Sequence, residues 1–392
     1  MRFLRGGLLV LGLPLLLAAA WADTVPDAAL RLTPAGDPDM PIRLPQAPMA
    51  TPSPPAPRTQ AGPQSLSFGP QKISFPGGVT ATFDLTYASL RGFRPMTLDI
   101  YQPPTGPRAA PLVVFIHGGG WNGGDTRHAA SFPDFPRVLA ALAGQGYVVA
   151  SVSYRLSGEA RFPAAVQDIK AAIRWLRGHS HDLNLDPTRV AVWGDAAGGQ
   201  LAALTGVTCG VAPFEPDARD NGELPSDCVQ AVIDWGGAID LESLGARPVE
   251  AKVGDANTAD TKAAAGFAPP PSSDAGDFLG CEPVRCPPML ARLASPLSFI
   301  SATNPVFLIQ HPGADAQIPA SQSQKLYDAL RKAGATAELM VYPDVGHDFT
   351  RGGAPDNVTL QAALEKIGAF LAQNFPATPL GPRIAQPRGA AY

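Results

Sequence analysis

Between residues 71 and 376, short apolar runs alternate with longer stretches in which apolar and polar positions are mixed. Residues 112–116 form an unbroken apolar run, the pattern of a central strand covered on both faces. Residues 147–152, 190–193, 231–235, 306–309 and 337–342 repeat it, and residues 79–88 with 96–101 predict an opening strand pair. Helices are predicted between them over 163–177, 197–204, 321–333 and 359–375. This alternation predicts an α/β domain over residues 71–376: a mostly parallel sheet of about eight strands flanked by helices. Residues from about 241 to 292, rich in Gly, Pro, Ala and Asp, break the pattern and predict an insertion that serves as a cap or lid.

The two ends read differently. Arg2 and Arg5 precede an apolar run over residues 8–20 and the small-residue string Ala20-Trp21-Ala22, which predicts a signal peptide over residues 1–22. The run is short for a bilayer and Pro14 interrupts it, so no membrane association is expected after cleavage. Residues 23–70 are proline-rich and poor in aromatic residues, which predicts a disordered linker; residues 377–392 predict a flexible tail. The expected location is outside the cytoplasm, periplasmic or secreted.

Composition narrows the class. A chain of 392 residues with 45% hydrophobic content can fill one large α/β core. The net charge of −4, with no basic stripe, excludes a nucleic-acid partner. Four cysteines suit an oxidising compartment. Cys281 and Cys286 close a short loop and Cys209 could pair with Cys228, although four cysteines allow three pairings. No metal site is expected, because neither pair has C-x-x-C spacing and no histidine is near either in sequence. His179 and His181 read as surface histidines.

Two glycine-rich turns carry the candidate chemistry. After the run at 112–116 comes His117-Gly118-Gly119-Gly120-Trp121, where glycines expose backbone N–H groups. Fixed donors of this kind stabilise the negative charge that develops on a carbonyl oxygen during acyl transfer. After the run at 190–193 comes Gly194-Asp195-Ala196-Ala197-Gly198-Gly199 and then a helix. This is the frame of a G-x-S-x-G nucleophile elbow, but its centre is Ala196, a methyl group that cannot attack a carbonyl carbon. An acid and a histidine follow in the order this arrangement requires: Asp315 after the run at 306–309, and His347 after the run at 337–342. Asp344 and Asp348 are nearer His347 in sequence and stand as alternatives for its orienting carboxylate.

With these residues in place, the chain resembles the carboxylesterases and feruloyl-esterase-like enzymes of the α/β-hydrolase superfamily, close to the hormone-sensitive-lipase group. The resemblance runs over residues 93–375. It rests on the 117–121 string with Gly124-Asp125, on Tyr154-Arg155-Leu156, Phe162-Pro163-Ala164, Asp168 and Trp175-Leu176-Arg177, on the elbow frame, and on Asp315 and His347. It implies an α/β-hydrolase fold, no cofactor, a small-molecule or polymer-attached ester as substrate, and an oxyanion hole made by the N–H groups of Gly119, Gly120 and Ala197. Trp121 is a candidate for the acyl pocket. Arg155 and Asp168 read as scaffold charges, and Asp195, one residue early in register, is expected to point away from His347. Two departures stand out: His311-Pro312 where the group has His-Gly, and Ala196 where it has serine.

A missing hydroxyl inside an intact frame has two explanations. One is a serine-to-alanine replacement in a working esterase, so that the chain is a nucleophile-dead form. The other is a pseudoenzyme that binds an ester without turning it over. Retention of both glycine turns, Asp315 and His347 favours the first. A peptidase of the prolyl-oligopeptidase type is a further alternative within the fold. Oligomeric state is not readable from the chain.

Overall fold

A computed structural model describes residues 70–104, 108–215, 225–245, 274–281 and 285–376. The segment expected to be a signal peptide, nearly all of the proline-rich stretch, residues 377–392, and residues 246–273 of the interrupting segment lie outside the described residues. Nine strands form one sheet: β1 (Gln71–Ser74), β2 (Thr80–Ala88), β3 (Met96–Gln102), β4 (Ala110–Ile116), β5 (Val148–Val152), β6 (Leu185–Asp195), β7 (Ala231–Trp235), β8 (Val306–Pro312) and β9 (Ala337–Tyr342). Their order is β1-β2-β3-β5-β4-β6-β7-β8-β9. The pairs from β1 through β3 to β5 are antiparallel, and every pair from β5 onward is parallel. The strand beyond the expected eight is β1. Its four residues are all exposed, so it carries no apolar alternation by which to be read.

The helices are α1 (Phe135–Ala143), α2 (Ala164–Gly178), α3 (Ala197–Val207), α4 (Leu241–Gly245), α5 (Asp274–Leu279), α6 (Pro288–Leu293), α7 (Ser321–Ala333) and α8 (Asn357–Asn374). They cover the sheet on both faces because the central strands are apolar on both. Along β4, Leu112, Val114 and Ile116 join one core with Ile169 and Ile173 of α2 and Leu201 and Leu204 of α3. The intervening Val113 and Phe115 join the other, with Leu139 of α1 and Ile367 and Leu371 of α8. Side chains of a strand alternate faces, so one continuous apolar run feeds two cores. Every residue of α3 is buried, so no face of this predominantly apolar helix meets solvent.

Helix α1 was not anticipated. Its start is set by Asp134, whose side chain accepts the N–H of Arg137, with Pro136 in the first turn. The side chain of Asp356 caps α8 through the N–H of Thr359. On α2, the buried ammonium of Lys170 lies 3.2 Å from Asp227 and donates to the carbonyl of Thr208 at 2.6 Å. Arg155 and Asp168 pair as expected of scaffold charges, the carboxylate accepting both the Arg155 N–H and its guanidinium. Both cysteine pairs are bonded, Cys209 to Cys228 and Cys281 to Cys286. No helix among the described residues is long and apolar enough to cross a membrane.

Candidate active site

The register of the parallel strands assembles the site. Ile116 at the end of β4 lies beside Gly194 near the end of β6, Asp195 lies beside Trp235 at the end of β7, and Trp235 beside Gln310 of β8. The loops leaving these strands therefore start from one edge of the sheet, the place where open α/β sheets bind ligands.

The elbow turns between Asp195, the last residue of β6, and Ala197, the first of α3. Ala196 between them has φ 50° and ψ −113°, a conformation that non-glycine residues adopt rarely and at a cost of order 1–3 kcal/mol. Its N–H donates to the carbonyl of Trp235 at 2.8 Å, which ties the turn to β7. Glycine is required on either side. A Cβ on Gly194 would collide with the backbone of Gly198, and one on Gly198 with the carbonyl of Ile116. The sharp turn is thus built by close backbone approach and holds with a methyl group at its apex.

Opposite the elbow, Nδ1 of His347 lies 2.7 Å from Oδ2 of Asp315. The other oxygen of Asp315 accepts the N–H groups of Gln317 at 2.8 Å and Ile318 at 2.9 Å, which fix the carboxylate. Those bonds and His347 hold Asp315 below the usual carboxylate range although burial opposes it. In His347 burial acts to lower the pKa, but the Asp315 hydrogen bond and the charges of Asp315, Asp348 and Asp195 outweigh it, and the pKa is raised. Asp348, a sequence alternative to Asp315, lies on the other side of the ring, its Oδ1 3.6 Å from Nε2. Asp344 makes no such contact. His311 packs behind this pair, with Nδ1 2.7 Å from the Ser323 hydroxyl and Nε2 2.9 Å from the Ile318 carbonyl.

In the turn after β4, Gly119 and Gly120 have φ of 95° and 62°. Their N–H groups take part in no hydrogen bond among the described residues, whereas the Gly119 carbonyl accepts from Asn122 and Gly123. Ala197 opens α3, where a helix leaves its first N–H groups unpaired. His117 stacks on Tyr154 with ring centroids 4.4 Å apart, and its burial drives its pKa down to about 4. A neutral, packed imidazole at this position holds the turn. Trp121 is almost wholly buried; its indole N–H donates to Gln200 at 3.0 Å and its ring stacks on Phe278 of α5.

These pieces line one cavity of about 660 Å³: Gly119, Gly120, Trp121, Ala196, Ala197 and His347. Asp315 stands behind His347. Asp195 also lines the cavity. Its Oδ2 accepts the N–H of Ala130 at 3.0 Å, and burial together with the Asp348 charge pushes its pKa up to about 6. It was expected to point away from His347, with which it makes no hydrogen bond or ion pair; its place on the cavity wall was not anticipated. Asp274 and Ala275 of α5, His128, Gln317 and Asp348 complete much of the wall and were not singled out as lining residues. Only Asp348 had a local signal, its adjacency to His347. Asp274 comes from a stretch whose composition reads as irregular. Cys281 and Cys286 follow α5 and tether the segment beyond it. Among the described residues no cluster of His, Cys, Asp or Glu could hold a metal ion.

A mostly parallel sheet with an elbow at one strand end, a glycine turn beside it and an Asp–His pair on the following loops defines an α/β-hydrolase. More narrowly, the chain belongs to the BD-FAE family, whose model matches residues 98–330; that of the prolyl oligopeptidase family matches residues 289–378. Among curated proteins it is similar to Esterase LipC of Mycobacterium tuberculosis, 28% identical over 258 residues that cover 64% of this chain and 56% of LipC. Among solved structures, the bifunctional GH43-CE protein of Bacteroides eggerthii matches with a TM-score of 0.59 and 28% identity, covering 75% of this chain and 38% of that one. Esterase 2 of Thermogutta terrifontis with propionate bound matches with a TM-score of 0.57 and 28% identity, covering 76% and 95%. The chain spans little more than half the length of the first curated relatives it matches.

Proposed function

We propose that this site is built for carboxylic-ester hydrolysis and that the chain as it stands, with Ala196 at the elbow, is silent or nearly so. The observation that carries the reading is the shared cavity: the Ala196 methyl, the oxyanion-turn glycines and a His347 oriented by Asp315 at 2.7 Å all border one space. With serine at 196, the hydroxyl attacks the ester carbonyl while Nε2 of His347 takes its proton. Asp315 holds the proton of the ring on Nδ1 and steadies the imidazolium. The N–H groups of Gly119, Gly120 and Ala197 receive the oxyanion, the alcohol leaves with the proton from His347, and water then releases the acid by the same steps in reverse.

Loss of the nucleophile costs a serine hydrolase on the order of a millionfold in turnover, about 8 kcal/mol of barrier. The donors and the base remain, so a trace of activity through water is expected. The ester names of the similar proteins, the propionate-bound neighbour among them, support a short acyl group. The prolyl-oligopeptidase match covers the region of Asp315 and His347, which peptidases share, and leaves out the glycine turn after β4. Export through residues 1–22 belongs to the same proposal, and the two disulfides support it.

The deciding experiment is Ala196→Ser assayed with nitrophenyl acetate, butyrate and feruloyl esters. A gain of at least roughly a thousandfold over the Ala196 chain is expected. A folded Ala196→Ser protein that stays silent on all of them overturns the reading. If that silent protein also binds esters tightly, it is a binding protein.

A further inference from the structure

The cavity wall includes a base and backbone donors but, among the described residues, no Ser, Thr, Cys, Tyr or Lys, so no hydroxyl, thiol or amine there can serve as nucleophile. Nδ1 of His347 is engaged by Asp315, which places the ring proton there and leaves Nε2 as the basic atom. Asp348 lies 3.6 Å from Nε2, a carboxylate that favours the protonated ring. A serine hydroxyl at 196 would consume this base at once, whereas a methyl group leaves it free for a proton of the bound molecule itself.

We propose that the chain with Ala196 catalyses proton removal from the carbon next to a carbonyl group, on neutral ketones or esters small enough for the cavity. The proposal rests on the reading that His347 and the glycine turn flank one carbonyl position. The C–H bond breaks and its proton passes to Nε2 of His347. The electron pair forms the carbon–carbon double bond of an enolate while the carbonyl π pair moves onto oxygen, where the N–H groups of Gly119, Gly120 and Ala197 hold it. The imidazolium exchanges its proton with water and returns one to carbon. Nothing is oxidised or reduced, no group leaves, and the net result is hydrogen exchange or loss of configuration at that carbon. Neutral substrates are specified because Asp195, Asp274 and Asp348 line the cavity and, among the described residues, no Lys or Arg does.

Benzyl methyl ketone in deuterium oxide supplies the test, with loss of its benzylic proton signal followed by proton NMR. The Ala196 chain is expected to speed exchange about a hundredfold over buffer at equal pD, the scale of a positioned general base. His347→Gln is expected to return the rate to buffer with an unchanged far-ultraviolet circular dichroism spectrum. Asp315→Asn should shift the pD profile of exchange to lower pD. No exchange by the Ala196 chain, or exchange that survives His347→Gln, overturns the proposal, and so does ester hydrolysis by the Ala196 chain without exchange. The ester assay on Ala196→Ser separates the two readings. Hydrolysis there with no exchange in the Ala196 chain rejects the proton-transfer activity alone, and failure of both rejects the site.

Discussion

Phe278 of α5 lies flat against Trp121 of the glycine turn after β4, ring centroids 4.8 Å apart and planes inclined by 14°. Both side chains are buried, and Phe278 also meets Phe162 edge-on at 5.5 Å. A helix from the interrupting segment is thereby keyed to the turn expected to hold the oxyanion. Phe278→Ala is predicted to lower stability by about 3 kcal/mol, read as a fall in denaturation midpoint. In the Ala196→Ser background it should raise KM more than it lowers kcat. An unchanged KM would show that α5 does not shape the acyl pocket.

The Asp315–His347 pair sets a pH window. His347 is raised, so its share of the stability is complete below the ordinary imidazole pKa of 6.5 and is lost as pH rises through the raised value. Asp315 is lowered, so its share is present above the ordinary 3.8 and lost as pH falls through the lowered value. Asp315→Asn is expected to destabilise most in weak acid and less towards either extreme. The ring-proton NMR titration of His347 should move to lower pH. A midpoint unmoved by Asp315→Asn would mean that another group holds the ring.

Asp234, wholly buried on β7 beside the elbow, gives the slope opposite to that of Asp315. One oxygen accepts the N–H of Gly237 and the other has no partner, and burial pushes the carboxyl up to about 7. A raised acid is neutral in the folded state where the unfolded chain is ionised. Its contribution is intact below 3.8 and declines as pH rises towards 7. Asp234→Asn should flatten the stability profile between pH 4 and 8 by a few kcal/mol. Chemical denaturation at several pH values measures it, and parallel profiles would refute the buried, protonated carboxyl.

The Cys209–Cys228 bridge spans 19 residues next to the buried Lys170–Asp227 contact. Replacing both cysteines with serine is predicted to cost about 3 kcal/mol. Thermal melts with and without reductant check this. The melting temperature of the serine variant should be insensitive to reductant at that site, in contrast to the parent.

What the chain revealed before its structure depended on how each element is stabilised. Strands buried on both faces, such as β4 and the 306–309 part of β8, announce themselves as apolar runs, and the elbow and Asp315 follow the ends of such strands. β1 is exposed at every residue and left no trace in the pattern. The wall contributed by α5 was hidden because Asp274 and Ala275 matter through their placement over the glycine turn, a relation between segments more than a hundred residues apart. The place of Asp195 on the cavity wall was hidden for a related reason. Its direction is set by the sharp turn at Ala196 and the amide of Ala130, neither of which is visible in strand alternation.

The uncommon backbone at position 196 is imposed from outside the residue: by the tight passage between Gly194 and Gly198, and by the tie to Trp235. The reactive atom and the shape that would aim it are thus separately encoded. Exchange of one side-chain hydrogen for a hydroxyl leaves the scaffold untouched, and the chain stands a single codon away from the chemistry its architecture anticipates.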